Sequence, residues 1–232
     1  MNTPEPIALP QPPFEVAHVA TECIEIADRT AELLPEELAL VERAADKRRE
    51  QFSSGRVAVQ RLLARAGIAR MPILRGEGRA PRWPDGWVGS ISHGAGYALA
   101  ALARRDRIAG IGVDVEARGR LNEKMLRLIL TPGEIARTSG DLERALVAFS
   151  AKESFYKALQ PIVGGHIGFQ DVEIDLDRDD FTTRAFSARL FAARYMGTRD
   201  LGAMVAACRG HAVRARDAVA TLVVLQAGDG PR

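Results

Sequence analysis

The 232-residue chain reads as an α/β protein in two halves, each with helices followed by a meander of strands. Three observations carry this. Residues 35–66 hold a helical apolar pattern, broken once, and strand-like runs punctuated by glycine and proline follow it as far as Glu116. A second helical stretch, Leu142 to Leu159, contains no glycine or proline. Beyond it, short apolar runs recur between polar turns. The halves divide as 1–110 and 111–232, and no internal sequence repeat is visible.

Taken in order, residues 1–13 are a proline-rich, extended lead-in. Pro35-Glu36-Glu37 opens a helix with proline and acids in its first turn, where both are favoured. The pattern runs on to about Ala66, and Arg48 and Arg56, eight apart, share a face if that helix is continuous. Arg75 to Gly86 is an exposed loop. Trp87–Ser92 is a strand, His93–Gly96 its turn, Tyr97–Ala103 the returning strand, and Ile108–Glu116 a third. Arg118, Arg120, Lys124 and Arg127 decorate a helix whose apolar residues are Leu121, Met125, Leu128 and Ile129. Thr131-Pro132-Gly133-Glu134 is a capping box that starts another. The main helix stops before Pro161, and Phe169–Asp175, Arg184–Phe191, Leu201–Cys208 and Val219–Leu225 read as strands.

Composition narrows the function. A hydrophobic content of 47% supports one sizeable core or two small ones. No apolar run reaches membrane-spanning length, and no basic segment leads into an apolar one at the N-terminus, so a soluble, cytoplasmic protein is expected. Cys23 and Cys208 are too few and too far apart for a disulfide framework or a zinc cluster. A net charge of +2 is too small to imply nucleic acid as the main partner. Basic residues number 32, yet the only lysines are Lys47, Lys124, Lys152 and Lys157. Two of these four fall within Phe149-Ser-Ala-Lys-Glu-Ser-Phe-Tyr-Lys157, where a compact, mobile charge has a chemical use.

Leu142, Leu146, Phe149, Glu153 and Tyr156 form one stripe of that helix, which turns the Glu153 carboxylate toward an apolar face with Lys157 at i+4. An inward carboxylate needs a cation or a metal, although a plain surface Glu–Lys pair has the same spacing. The strand Gly110-Ile-Gly-Val-Asp-Val-Glu116 places Val113 and Val115 on one face and Asp114 and Glu116 on the other. Two carboxylates so placed repel unless a cation lies between them, and hard oxygen donors suit magnesium. Gly110 and Gly112 leave the same face bare, as a close ligand requires.

Four motifs in this order resemble the 4′-phosphopantetheinyl transferases of the surfactin-synthetase and enterobactin type, over about Lys47 to Ile174. They are Arg48-Arg49-x-x-Phe52-x-x-Gly55-Arg56, Trp83-Pro84 leading to Gly89-Ser90-Ile91-Ser92-His93, Gly112-Val-Asp-Val-Glu116, and Phe149 to Lys157. The resemblance implies a pseudo-twofold α/β fold of two similar halves, mostly antiparallel strands with helices, holding coenzyme A and Mg²⁺ in the cleft between them. It makes Asp114, Glu116 and Glu153 the metal ligands, with water or pyrophosphate completing the shell because Val115 carries no acid. Glu153 is also the base, and Lys157 stabilises charge at the pyrophosphate. Lys152 lies on the phosphates. Ser92 belongs to the coenzyme A site, and Arg48, Arg56, Arg75 and His93 hold its 3′-phosphate and adenylate end. The implied reaction moves the phosphopantetheine arm to a serine of an apo acyl or peptidyl carrier protein and releases adenosine 3′,5′-bisphosphate. The implied enzyme is a monomer, with no nucleic-acid or membrane partner. The residues by themselves leave open a magnesium-dependent phosphohydrolase and a non-catalytic adenine-nucleotide binding module.

Overall fold

A computed structural model of the chain describes residues 9, 13–76, 80–165, 167–176, 189–215 and 217–228. Most of the lead-in, loop residues 77–79 and positions 184–188 of one expected strand lie outside the described residues. Strands β1 (Val19–Glu25), β2 (Trp87–Gly94) and β3 (Tyr97–Arg104) form an antiparallel sheet in the order β1-β3-β2. A second antiparallel sheet contains β4 (Ile108–Ala117), β5 (Val172–Leu176), β6 (Arg189–Tyr195), β7 (Arg209–Arg214) and β8 (Ala218–Gln226), in the order β4-β8-β7-β6-β5. The helices are α1 (Pro35–Ala39), α2 (Asp46–Arg65), α3 (Glu123–Ile129), α4 (Pro132–Thr138), α5 (Leu142–Val163) and α6 (Gly202–Ala207).

The packing runs helix, sheet, sheet, helix, because the central strands are apolar on both faces. In β3, Ala98, Ala100 and Leu102 meet Val59, Leu62 and Leu63 of α2, while Leu99, Ala101 and Ala103 meet Ile111, Val113 and Val115 of β4. Alternation in β8 divides the same way: Ala220, Leu222 and Val224 face that middle core, and Val219, Val223 and Leu225 join the core under α5. Strands buried on both sides lack an apolar–polar alternation, and small alanines let the layers approach. The expected α/β class and antiparallel pairing are therefore present.

Several elements depart from the sequence reading. β4 does not extend the first meander; it joins the second sheet by pairing with β8, as in Asp114 opposite Thr221. Asp114 and Glu116 are accordingly buried, like Val113 and Val115 on the other face. What lies against Gly110 and Gly112 is a helix: a Cβ at Gly112 would sit 1.9 Å from the Ser154 carbonyl oxygen of α5. These glycines answer to helix–strand packing, not to a ligand. Within 201–208, Gly202–Ala207 form α6, where alanine and methionine favour a helix, and β1 and β7 lie outside the strands read from the sequence. α5 continues through Pro161, which offers no N–H to the carbonyl four residues earlier, and ends at Val163. Its middle is buried nearly all round, so no single stripe describes it, and Leu142 is exposed.

Candidate active site

The two sheets bring Asp114 of β4 against α5 and the end of β2. One carboxylate oxygen accepts from Ser92 Oγ at 2.9 Å and from Lys157 Nζ at 2.8 Å; the other accepts from Ser150 Oγ at 2.9 Å. Lys157 Nζ also donates to Ser92 Oγ and to the Val113 carbonyl, each at 3.0 Å, so its three protons are all engaged. Behind Ser150 lies Thr221 Oγ1 at 2.9 Å, and beyond it Ser154 Oγ at 2.7 Å, all fully buried. The order of donors is fixed by proton count. A carboxylate only accepts, so Ser150 donates to Asp114 and Thr221 to Ser150, while Ser154 shares its proton between Thr221 Oγ1 and the Thr221 carbonyl at 3.2 Å. Such a directed chain of hydroxyls is cooperative, and it holds Asp114 in one rotamer.

Glu116 is buried and pairs with Arg120, whose guanidinium lies 5.3 Å from the Phe149 ring centroid. Glu153 is half-buried, and with Tyr156, Ile167, Phe169 and Val172 it lines a pocket of about 300 Å³. Burial, and with it the nearby Asp114, pushes the carboxyls of both Glu116 and Glu153 above the ordinary range. Among the described residues, no group of three or more His, Cys, Asp or Glu side chains is gathered closely enough to hold a metal ion. The expected three-carboxylate site is thus not closed, and the acids lean on Lys157 and Arg120 instead. The donor chemistry still suits a small hard cation, since, beyond burial, Asp114 raises both Glu116 and Glu153 and a bound cation would relieve that repulsion.

Lys152 lines the Glu153 pocket, but its amine turns inward to Glu134. It is buried, its Nζ sits 2.6 Å from Glu134, and it donates to the carbonyls of Ile129 at 3.0 Å and Phe169 at 2.6 Å. The expected phosphate contact is replaced by a tie between α5, α4 and the wall of the Glu153 pocket. Glu134, read only as a capping acid, serves as its partner while closing the capping box with Thr131.

At the other end, α2 is continuous from Asp46 to Arg65 and presents Arg48 and Arg56 together. β2 and β3 join through Ala95-Gly96, both with positive φ (53° and 79°), which is the tight hairpin geometry that glycine favours. That turn brings His93 against α2, with its Nε2 2.9 Å from Arg48 Nη1. His93 is held below its usual value of 6.5 by burial first and then by Arg48, so it is neutral and accepts this bond. Arg56 is pushed down to about 10 by burial, with Arg75 and Arg48 adding to the effect. Three like charges therefore converge here. A cleft of about 480 Å³ runs between the halves, lined by Trp83, Ser90, Ile91, Gly110, Tyr156 and Lys157.

Sequence reasoning missed Ser150, Thr221, Arg120 and Ser90, whose Oγ accepts the Val113 N–H. Thr221 had one signal, a lone hydroxyl inside an apolar strand.

Comparison with known proteins identifies a family. A model described as the 4′-phosphopantetheinyl transferase N-terminal domain matches residues 36–103, and one described as the 4′-phosphopantetheinyl transferase superfamily matches residues 110–208. The chain is 38% identical over 165 residues to 4′-phosphopantetheinyl transferase Svp of Streptomyces mobaraensis, covering 68% of this chain and 67% of that protein. It is 38% identical over 150 residues to 4′-phosphopantetheinyl transferase PptT of Mycobacterium tuberculosis, covering 63% and 66%. Enterobactin synthase component D of Escherichia coli is 34% identical over 142 residues, covering 59% and 66%. A solved holo-[acyl-carrier-protein] synthase of Thermotoga maritima superposes with a TM-score of 0.39 at 26% identity, over 51% of this chain and 64% of that one, too loosely to bear on residue roles. The chain belongs to the 4′-phosphopantetheinyl transferase superfamily and is a transferase of that kind.

Proposed function

We propose that this transferase moves the 4′-phosphopantetheine arm of coenzyme A to a serine of an apo acyl or peptidyl carrier protein, using Mg²⁺. The observation that carries the reading is the end of β2, where Ser92 touches Asp114 and Lys157 while its neighbour His93 touches Arg48. One strand end thereby links a cluster of cations to a cluster of acids, as a ligand with a terminal phosphate and a reacting pyrophosphate requires. Arg48, Arg56 and Arg75, with His93, hold the 3′-phosphate from residues 1–110; the acids and Lys157 lie in residues 111–232.

Asp114, Glu116 and Glu153 would hold the magnesium, which neutralises charge on the phosphate oxygens when bound. Lys157, fixed against Asp114, adds positive charge beside the bridging oxygen. Glu153 is the group that takes the serine proton, and its raised pKa suits a base working near neutral pH. The serine oxygen forms its bond to the phosphorus that carries pantetheine, the bond from that phosphorus to the bridging oxygen breaks, and the electron pair leaves on adenosine 3′,5′-bisphosphate.

On the carrier side, Lys124, Arg127 and Leu128 share one face of α3 by spacing and are exposed, Leu128 to 75%. Arg118 and Arg120 are drawn toward Glu143 and Glu116. An acidic carrier helix would find on α3 a small apolar anchor flanked by cations. Among the described residues, no helix is long and apolar enough to cross a membrane.

The test is to incubate the protein with coenzyme A, Mg²⁺ and a panel of apo carrier proteins and to read intact mass. We expect one added arm on the carrier serine for each adenosine 3′,5′-bisphosphate released. Nucleotide release without mass gain would instead indicate a phosphohydrolase.

A further inference from the structure

Glu37 lies outside the machinery described above, yet it is among the most buried charged groups in the chain, at 1% exposure. Both of its oxygens are held by backbone. Oε1 accepts the Ile73 N–H at 2.9 Å, and Oε2 accepts the Leu34 N–H at 3.2 Å. Its nearest cation is Arg56, whose Nε is 3.7 Å from Oε1. That is too far for a hydrogen bond but close for charge. Arg56 is itself only 6% exposed, its Nε has no hydrogen-bond partner, and its guanidinium rests 4.4 Å from the Phe52 ring centroid.

We propose that Glu37 is a positioning residue of the anion site: a fixed countercharge that makes the empty arginine cluster tolerable without occupying Arg56. Tied to the backbone on both oxygens, Glu37 cannot swing out to form a close pair with Arg56. A close, forked pair would take up the guanidinium face that a phosphate needs. With no carboxylate there, the repulsion among the three converging arginines would be less offset. Burial and the two neighbouring arginines push Arg56 down while Glu37 pulls it up, as that role requires. The Ile73 N–H bond also anchors the segment two residues before Arg75, so the same carboxylate serves two of the three arginines. It follows that Glu37 favours the stability of the empty protein at the expense of phosphate affinity. This inference rests on reading Arg48, Arg56 and Arg75 as the 3′-phosphate site.

The experiment compares wild type with Glu37→Gln, which keeps the side-chain length and an oxygen for the Ile73 N–H. Affinities for coenzyme A and dephospho-coenzyme A are measured by calorimetry, and melting temperatures without ligand. We expect the ligand-free variant to melt lower, and its preference for coenzyme A over the dephospho form to rise by roughly three- to tenfold. A residue that merely holds backbone would lower stability and leave that preference unchanged or reduced, and either result overturns the proposal. A wild type that does not discriminate removes the phosphate reading and Glu37 with it. Should Glu37→Gln not fold, Glu37→Gln/Arg56→Met is compared with Arg56→Met alone: removing the countercharge together with its cation should restore folding and stability above the Arg56→Met single variant. A double variant no more stable than that single one also overturns the proposal.

Discussion

The two charged clusters joined by the end of β2 handle charge in opposite ways. At the α2 end, burial and Arg75 depress Arg48, burial with Arg75 and Arg48 depresses Arg56, and the carboxylate facing Arg56 is Glu37, 3.7 Å away. At the β4 end each buried acid has its cation, Lys157 for Asp114 and Arg120 for Glu116, and hydroxyls fix Asp114 further. An unopposed cluster is unfavourable until an anion arrives, so it serves binding. A pre-paired, hydrogen-bonded cluster keeps its geometry without ligand, so it serves chemistry, where small displacements are costly. Substitutions at the two ends should therefore differ in kind as well as size.

The largest effect is expected at Asp114. Asp114→Ala leaves Lys157 without its charge partner and the Ser150 hydroxyl without its acceptor, a loss of about 3–5 kcal/mol typical of breaking a buried pair. Transfer should be abolished at every Mg²⁺ concentration, measured by carrier-protein mass. A folded variant with ordinary magnesium dependence would remove Asp114 from the site. Next in size, Arg48→Ala should weaken coenzyme A binding and shrink its margin over dephospho-coenzyme A by about 1.5–3 kcal/mol, the usual size of a charge-assisted contact. Equal discrimination before and after would show the arginine serving another purpose.

A smaller effect is expected at Thr221, whose hydroxyl meets those of Ser150 and Ser154. Thr221→Val keeps the shape and removes the donor to Ser150, at about 1 kcal/mol. The Ser154 hydroxyl can turn to the Thr221 carbonyl position, already 3.2 Å away, so the fold should survive. The signature is a higher Mg²⁺ requirement with unchanged coenzyme A affinity, and an unaltered magnesium midpoint would show that the chain does not orient Asp114.

The smallest concerns His93. Its folded pKa lies below the unfolded value of about 6.5, so the unfolded chain takes a proton first as pH falls. The contribution is complete above that value and is lost as pH drops through it toward the folded pKa. Melting temperatures at pH 7.5 and 5.5 should diverge less in His93→Gln than in wild type, and an equal pH dependence would place His93 outside the arginine field.

Much of this was legible because spacing encodes chemistry. Val113-Asp114-Val115-Glu116 on a strand and Glu153 with Lys157 on a helix are local patterns, and the structure brings them to one place. Lys152 was misread because Glu134, which takes its charge, comes from α4, eighteen residues earlier in sequence. Gly110 and Gly112 were read correctly as bare backbone, but only tertiary packing shows that α5 covers it. β4 changed sheets for a similar reason: a strand buried on both faces carries no mark of which neighbour it will pair with. Thr221 and Ser150 act through Asp114 across three elements, and no pattern within one element reveals that.

The separation of binding from chemistry is tested most directly in Glu153→Gln, by measuring coenzyme A affinity and turnover on the same preparation. We expect coenzyme A to bind as in wild type while turnover falls by roughly 10²–10⁴-fold, the usual worth of a positioned base. Wild-type turnover in this variant, or a loss of coenzyme A binding as large as the loss of rate, would contradict it.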